Sequence, residues 1–416
     1  MDYHSHAAHN PVSQANPTNT WQQLLGAAVA HRASDIHLEP TATGLGVRFR
    51  IDGVLVSSQT LGLAPVHTAL KDSLRSYIKV SAAMDIAQQR LPQDGHWTTH
   101  TSDQQAHDCR IATMPTALGE KLVIRLLASN RDIAALSTLG YNAQQLRTLQ
   151  HGLQVPHGLI LMTGPTGCGK TTSIYSALQT LDLTSVNVCT IEDPVELLLD
   201  GVHQVQVNEA LGLGFASALR ALLRQDPDVI VVGEIRDANS ASMAVHAAQT
   251  GHLVISTLHA NNATQAITRL IHMGIAPVDL ASSLQLITAQ RLVRRLCPHC
   301  KQAIAINKQQ RRLFESHGLS IPVHIYKPAD PCSEVQPQCT CIGGYLGRVG
   351  IFQMLPITDA MTQFLLDGHN EHALASAAAK AGVNSLAHHA LARIAQGDTS
   401  WAEAARHVAL GGLDSS

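Results

Sequence analysis

The 416-residue sequence is poor in aromatic side chains (3%) and in charged ones (14%), and its 29 Lys and Arg are outnumbered by 31 Asp and Glu. A formal net charge of −2, with no basic stripe interleaved with aromatics, offers little to neutralise or stack against a nucleic acid, so no direct nucleic-acid partner is expected. No apolar run approaches the ~18 residues needed to cross a bilayer. The start, Met1-Asp-Tyr-His-Ser-His6, lacks the charged and apolar regions of a signal peptide. Both absences lead us to expect a cytoplasmic protein. Eight cysteines in a reducing compartment favour free thiols or metal ligation over disulfides. Histidine is abundant at 24 residues, which would turn the surface positive in mild acid, but no His run resembles a metal tract.

What is present centres on Gly164-Pro-Thr-Gly-Cys-Gly-Lys-Thr-Thr172, which fits the phosphate-loop pattern G-x-x-x-x-G-K-[ST] at every specified position. The apolar run Gly158 to Thr163 reads as a buried strand and Thr172 to Leu178 has helical spacing, so the loop falls where a strand turns into a helix. Gly164, Gly167 and Gly169 let the backbone curl until its N–H groups point inward, and the helix N-terminus adds positive potential. Residues 164–172 (Gly164, Pro165, Thr166, Gly167, Cys168, Gly169, Lys170, Thr171 and Thr172) are the expected nucleotide cradle. Lys170 is expected to meet the β- and γ-phosphates of ATP, and the Thr171 hydroxyl to take one position on Mg²⁺.

Length allows two or three domains. Residues 1–19 are polar, with almost nothing apolar, and are expected to form a flexible tail. Residues 20–130 mix helical and period-2 patterns, including an Asp52-Gly53 turn, and read as a small α+β domain. Residues 131–416 alternate strand and helix, which implies a doubly wound parallel sheet, an α/β fold. This second domain includes a metal-binding subdomain over 295–345 and a C-terminal helical region. Its candidate strands at 186–191, 229–233 and 252–257 all end at polar residues, where an open parallel sheet lines its ligand crevice.

Those polar ends carry the candidate chemistry. Glu234, after Gly233, is expected to activate water, and Glu192 in Ile191-Glu-Asp-Pro-Val-Glu196 supplies a further carboxylate for metal and water. His252 and His259 either address the γ-phosphate or serve as core or capping histidines. Cys297-Pro-His-Cys300 has the spacing of a Zn²⁺ clamp. Its partners come from Cys332, Cys339 and Cys341. Because Cys339 and Cys341 are separated by one residue, Cys332 is an alternative to one of them.

From about Ala33 nearly to the C-terminus, the chain resembles the secretion ATPases of type II secretion and type IV pilus assembly, often called the GspE/PilB group. The motifs that carry the resemblance include Ala33-Ser-Asp-Ile-His37, Arg50-Ile-Asp-Gly53, Arg90-Leu-Pro-Gln-Asp-Gly95, the phosphate loop, Gly233-Glu-Ile-Arg-Asp237, Ser256-Thr-Leu-His259 and Arg295-Leu-Cys-Pro-His-Cys300. The resemblance implies a RecA-like P-loop ATPase fold and a homo-hexameric ring. It implies a cysteine site for Zn²⁺ and a partnership with a polytopic inner-membrane platform protein, hence a peripheral location on the cytoplasmic face of that membrane. It also implies that Arg110 and Arg125 act in trans as arginine fingers; without it, each reads as a strand residue in a salt bridge. Four features depart from the pattern, one of them the displaced second cysteine pair among Cys332, Cys339 and Cys341. Only a polar tail stands before Trp21 where relatives carry a further domain, so the family's docking mode is not carried over to this chain. Cys168 stands in place of the usual Ser, and His96 where many relatives have Arg.

The function expected is ATP hydrolysis driving pilus assembly or protein secretion, with DNA uptake as a variant of the same motor. A nucleic-acid translocase of the P-loop superfamily is the alternative, disfavoured by charge. A nucleotide switch without turnover is disfavoured by the water-activating carboxylate.

Overall fold

A computed structural model describes residues 16–127, 133–329, 339–367 and 370–411. The chain divides into two compact units, 1–129 and 130–416.

In the first unit, α1 (Pro17–Ala30) opens with Asn16 as N-cap, its side chain accepting from the Thr18 N–H, and with proline in the first turn. The helix therefore takes in residues 17–19, assigned to a tail because their composition is polar. Here capping chemistry outweighs composition. The strands are β1 (Ala33–Thr41), β2 (Gly44–Ile51), β3 (Val54–Ser57), β4 (Gln93–His100), β5 (Ala106–Thr116) and β6 (Gly119–Leu126), with α2 (Lys71–Ser81) between β3 and β4. They form one sheet in the order β3-β2-β1-β6-β5-β4, antiparallel throughout. Asp52 and Gly53, both at positive φ, make the two-residue turn between β2 and β3. Ile36, Leu38, Phe49, Ile111, Leu122 and Ile124 are buried, as are Trp21, Leu25, Leu74 and Ile78 of α1 and α2. Several alternate positions carry charge, among them Asp35, Glu39, Arg48, Arg50, Arg110, Lys121 and Arg125.

The second unit contains α3 (Ala143–Leu153), β7 (Gly158–Thr163), α4 (Lys170–Leu178), β8 (Val188–Glu192), β9 (Val202–Gln206), α5 (Phe215–Leu222), β10 (Val229–Val232), α6 (Ala238–Gln249), β11 (Leu253–Leu258), α7 (Ala263–His272), α8 (Pro277–Ser283) and β12 (Leu284–Leu296). Next come β13 (Gln302–Ala305), α9 (Lys308–Ser316), β14 (His324–Lys327) and β15 (Tyr345–Pro356). The helices Asp359–Leu366, Glu371–Lys380, Leu386–Ala395 and Trp401–His407 follow. Seven strands make one sheet in the order β15-β12-β7-β11-β10-β8-β9, parallel except where β15 runs against β12.

Alternate residues of the central strands bury on opposite faces. Leu159 and Leu161 of β7 join a core with α6 and α7, while Ile160 and Met162 join a second core with α3 and α4. Such a sheet is buried on both sides, which is why its strands read as unbroken apolar runs. Because the strands are parallel, β7, β8, β10 and β11 deliver their C-terminal residues to the same edge. In register, Val232 of β10 lies between Ile191 and Ser256.

Candidate functional site

The phosphate loop leaves β7 and enters α4. Gly164, Gly167 and Gly169 have φ of 151°, 76° and 88°. A Cβ on Gly164 would come within 2.5 Å of the Gln290 carbonyl oxygen and 2.6 Å of Cys168 Sγ, so packing as well as dihedral demands glycine there. Gly169 is the N-cap of α4 and offers no side chain to its first N–H groups, which leaves them directed to an anion. Pro165, Thr166, Thr171 and Thr172 are exposed on this rim. Lys170 Nζ donates to the carbonyls of Gly164 (2.7 Å) and Pro165 (3.2 Å). Burial lowers the Lys170 pKa, opposed by the negative potential of Cys168 and Glu234.

Cys168 is buried beneath the loop, its carbonyl accepting from Gln290 Nε2 at 2.8 Å, and burial raises its thiol pKa. The side chain is buried, with its sulfur packed against Gly164. Gln290 and Arg291 of β12 form the floor. Arg291 donates to the carbonyls of Gln290 and Asn261, each at 2.9 Å.

The structure brings Glu234 and His259 together at the sheet edge that carries the loop. Glu234 follows Gly233 after β10, and His259 follows β11, the strand between β10 and β7. His259 Nε2 lies 3.6 Å from Glu234 Oε2. Thr163 Oγ1 donates to the Ala260 carbonyl and accepts from the Ala260 N–H, tying the end of β7 to the turn that carries His259. A cavity of about 400 Å³ opens beside the loop, bordered by Gly164, Pro165, His259, Asn261, Arg269 and His272.

Glu192 is differently placed. Its Oε1 accepts from Thr190 Oγ1 (2.7 Å) and Gln204 Nε2 (2.9 Å), and its Oε2 from the Tyr175 hydroxyl of α4. Burial, then this carboxylate, holds the Tyr175 hydroxyl protonated by raising its pKa. With donors on both oxygens, two of them from the buried Thr190 and Tyr175, Glu192 has the geometry of an anchor for α4. Glu234 is better placed to receive a proton. His252 lies at the opposite end of β11, its Nδ1 3.1 Å from the Ala247 carbonyl. The six residues of β11, roughly 23 Å of extended chain from His252 to His259, separate it from the edge where His259 sits, so its contact is that of a capping histidine.

Sequence reasoning passed over Arg236 and Arg291. Arg236 was visible within Gly233-Glu-Ile-Arg-Asp237, but nothing in its spacing says that its guanidinium contacts both Glu234 and Asp193.

In the first unit, Arg110 and Arg125 are directly opposed on β5 and β6 and so share one sheet face. Arg125 Nε donates to Asp35 Oδ1 at 3.0 Å while its side chain remains 60% exposed.

The cysteine cluster draws on both halves. Sγ of Cys297 is 3.4 Å from that of Cys339, and Sγ of Cys300 is 3.8 Å from that of Cys341. The Cys297, Cys300 and Cys341 sulfurs all lie within 4.8 Å of one another. Tetrahedral ligation at a Zn–S bond of about 2.3 Å places sulfurs roughly 3.8 Å apart, so Cys297, Cys300 and Cys341 are spaced to take three positions on the ion, with Cys339 beside Cys297 as the candidate for the fourth. Burial would raise the Cys297 pKa; the backbone N–H groups of His299 and Cys300, with the neighbouring thiols, outweigh it and bring it down to about 7. Cys332 lies outside the described residues.

A phosphate loop on the first strand of a parallel sheet ordered β12-β7-β11-β10-β8, with a carboxylate after β10 and a histidine after β11, defines a RecA-like P-loop nucleotide-binding unit. The model of the family described as "Type II/IV secretion system protein" matches residues 13–406, and the chain belongs to that family. It is 42% identical over 381 residues to a protein of Acinetobacter baylyi named type IV pilus assembly ATPase PilB, covering 92% of this chain and 64% of that protein. It is 44% identical over 383 residues to the type II secretion system ATPase E of Vibrio cholerae, covering 92% and 73%. Thus the chain spans slightly under two thirds of the first of these relatives. The crystal structure of the pilus retraction motor PilT with bound ADP shares the fold, with a TM-score of 0.61 at 24% identity over 93% of this chain and 96% of that one. Among the described residues no helix is long and apolar enough to cross a membrane.

Proposed function

We propose that the chain is the ATPase of a motor that assembles type IV pili or drives type II secretion. Lys170 and the α4 N-terminus bind the phosphates of ATP, Thr171 holds Mg²⁺, and Glu234 activates the attacking water with His259 beside it. Glu192 holds α4 in place. The observation that carries this reading is the convergence of Lys170, Glu234 and His259 on the loop-bearing edge of one sheet. The similarity to the Acinetobacter pilus assembly ATPase and the Vibrio secretion ATPase supports the motor over a nucleic-acid translocase, and the chain's net charge of −2 points the same way.

On this reading the working unit is a homo-hexameric ring at the cytoplasmic face of the inner membrane, acting on a polytopic platform protein. Arg110 and Arg125 of one copy serve the phosphate loop of another. A transferring phosphoryl group gathers negative charge, which a guanidinium stabilises. Mixing inactive Lys170→Ala protein with inactive Arg110→Ala/Arg125→Ala protein is then expected to restore part of the ATPase activity, because some interfaces combine an intact loop with an intact arginine pair. Size measurement first establishes that both variants assemble and exchange subunits. With that shown, a mixture as inactive as its components places the arginines within one chain or in a structural part.

Cys297, Cys300, Cys339 and Cys341 are proposed to hold one structural Zn²⁺, stapling the segment between β12 and β15. Freshly purified, reduced protein should contain close to one zinc per chain, and Cys297→Ser/Cys300→Ser should contain none. The variant should loosen locally while its nucleotide affinity stays within about threefold, since the cluster serves a different segment from the phosphate loop. Elemental analysis finding no zinc in the unmodified protein removes the site.

A further inference from the structure

We propose that Arg236 is a positioning residue for hydrolysis, fixing the Glu234 carboxylate by bridging it to Asp193. The inference rests on Glu234 being the water-activating group. Arg236 has three anchors on three segments. Its Nη2 contacts Glu234 Oε1, its Nη1 lies 3.2 Å from Asp193 Oδ2, and its guanidinium stands 5.7 Å from the centroid of the Phe215 ring at the start of α5. The backbone on either side is also fixed. The Ile235 N–H donates to the Thr257 carbonyl at 2.9 Å, and Asp237 caps α6 by accepting from the Ser240 N–H at 2.8 Å.

Stability does not account for this arrangement. The Arg236 side chain is 55% exposed and that of Asp193 39% exposed, and ion pairs so open to water contribute about 0–1 kcal/mol. Orientation does. A free glutamate distributes its carboxylate over many rotamers, whereas here Oε1 is taken by the guanidinium and Oε2 is left turned toward His259 Nε2. The bridge therefore selects which oxygen faces the histidine. Because the guanidinium is planar it can contact two carboxylates at once, which a lysine ammonium does less well. Asp193 is the residue after β8, so the bridge also couples the loop after β8 to the turn after β10.

Misplacing a reacting group by about 1 Å can cost two orders of magnitude in rate. Arg236→Ala is accordingly expected to lower kcat for ATP about 10- to 100-fold, with KM changed less than about threefold and an unchanged melting temperature. Arg236→Lys should recover only part of the loss. Asp193→Asn should lower kcat in the same direction, and the double variant Asp193→Asn/Arg236→Ala should be no worse than Arg236→Ala alone, since both break one bridge. A kcat in Arg236→Ala equal to that of the unmodified protein overturns the proposal. So do additive losses in the double variant, or full recovery by Arg236→Lys. Glu234→Gln, assayed in parallel, separates the failures. If it turns over normally, the reading of Glu234 is wrong; if it is inactive while Arg236→Ala is fully active, only the role of Arg236 is wrong.

Discussion

Lys170→Ala is expected to raise the Kd for ATP about a hundredfold and to remove detectable turnover. The side chain sits at the first position of α4 with Nζ already directed onto the loop, donating to the carbonyls of Gly164 and Pro165. No other lysine enters the cradle among the described residues. A hydrogen bond to a charged group is worth about 1.5–3 kcal/mol, and in this partly buried place the upper end applies, which corresponds to about two orders of magnitude in affinity. The variant should still fold, because α4 is held by Ile174, Tyr175 and Leu178 in the core and by the Tyr175 contact with Glu192. Titration with a fluorescent ATP analogue, with a thermal melt as the folding control, measures this. Binding within threefold of the unmodified protein would show that the loop's N–H groups suffice and that Lys170 has another role.

How far the site could be read from sequence depended on where each residue's partners lie in the chain. The phosphate loop is contiguous, and β7, β8, β10 and β11 are buried on both faces, so loop and strands appear as a fixed pattern and as apolar runs. From these it follows that Glu192, Glu234 and His259 stand at strand ends. What sequence does not contain is the direction of each side chain. Glu192 shares a strand face with Thr190 two residues earlier, but its contacts with Tyr175 of α4 and Gln204 of β9 are set by tertiary packing. β12 and β15 were harder to see. Gln285, Thr288, Gln290, Arg291, Arg294 and Arg295 break up the apolar run of β12; Arg291 is spent on the Asn261 carbonyl and Arg294 on Glu403, and the floor that β12 lends the phosphate loop is a contact over more than a hundred residues. β4 is an edge strand whose Asp94, His96 and Thr98 keep it polar, which hides it among turns.

Glu234→Gln is expected to reduce kcat by 10²- to 10⁴-fold while ATP binding stays within a few-fold of the unmodified protein. The substitution keeps the length and shape of the side chain, so Ile235 and Asp237 on either side retain their anchors. It removes the charge that lets the carboxylate accept a proton from water. General-base assistance of this kind contributes about 10²–10⁴ in rate, or ~3–5 kcal/mol of barrier. Glu192 cannot substitute, because Thr190, Gln204 and Tyr175 already occupy its two oxygens and its exposure is 6%. Glu192→Gln makes the contrast measurable. An amide there must present an N–H to one of the buried donors, so it should lower the melting temperature. Glu234→Gln, beside an exposed arginine, should not. Steady-state ATPase assays, nucleotide titration and thermal melts on both variants decide the matter. If Glu234→Gln turns over at the unmodified rate and Glu192→Gln is inactive yet equally stable, the base is Glu192, and the closed arrangement of Tyr175, Thr190 and Gln204 around it must open before water is attacked.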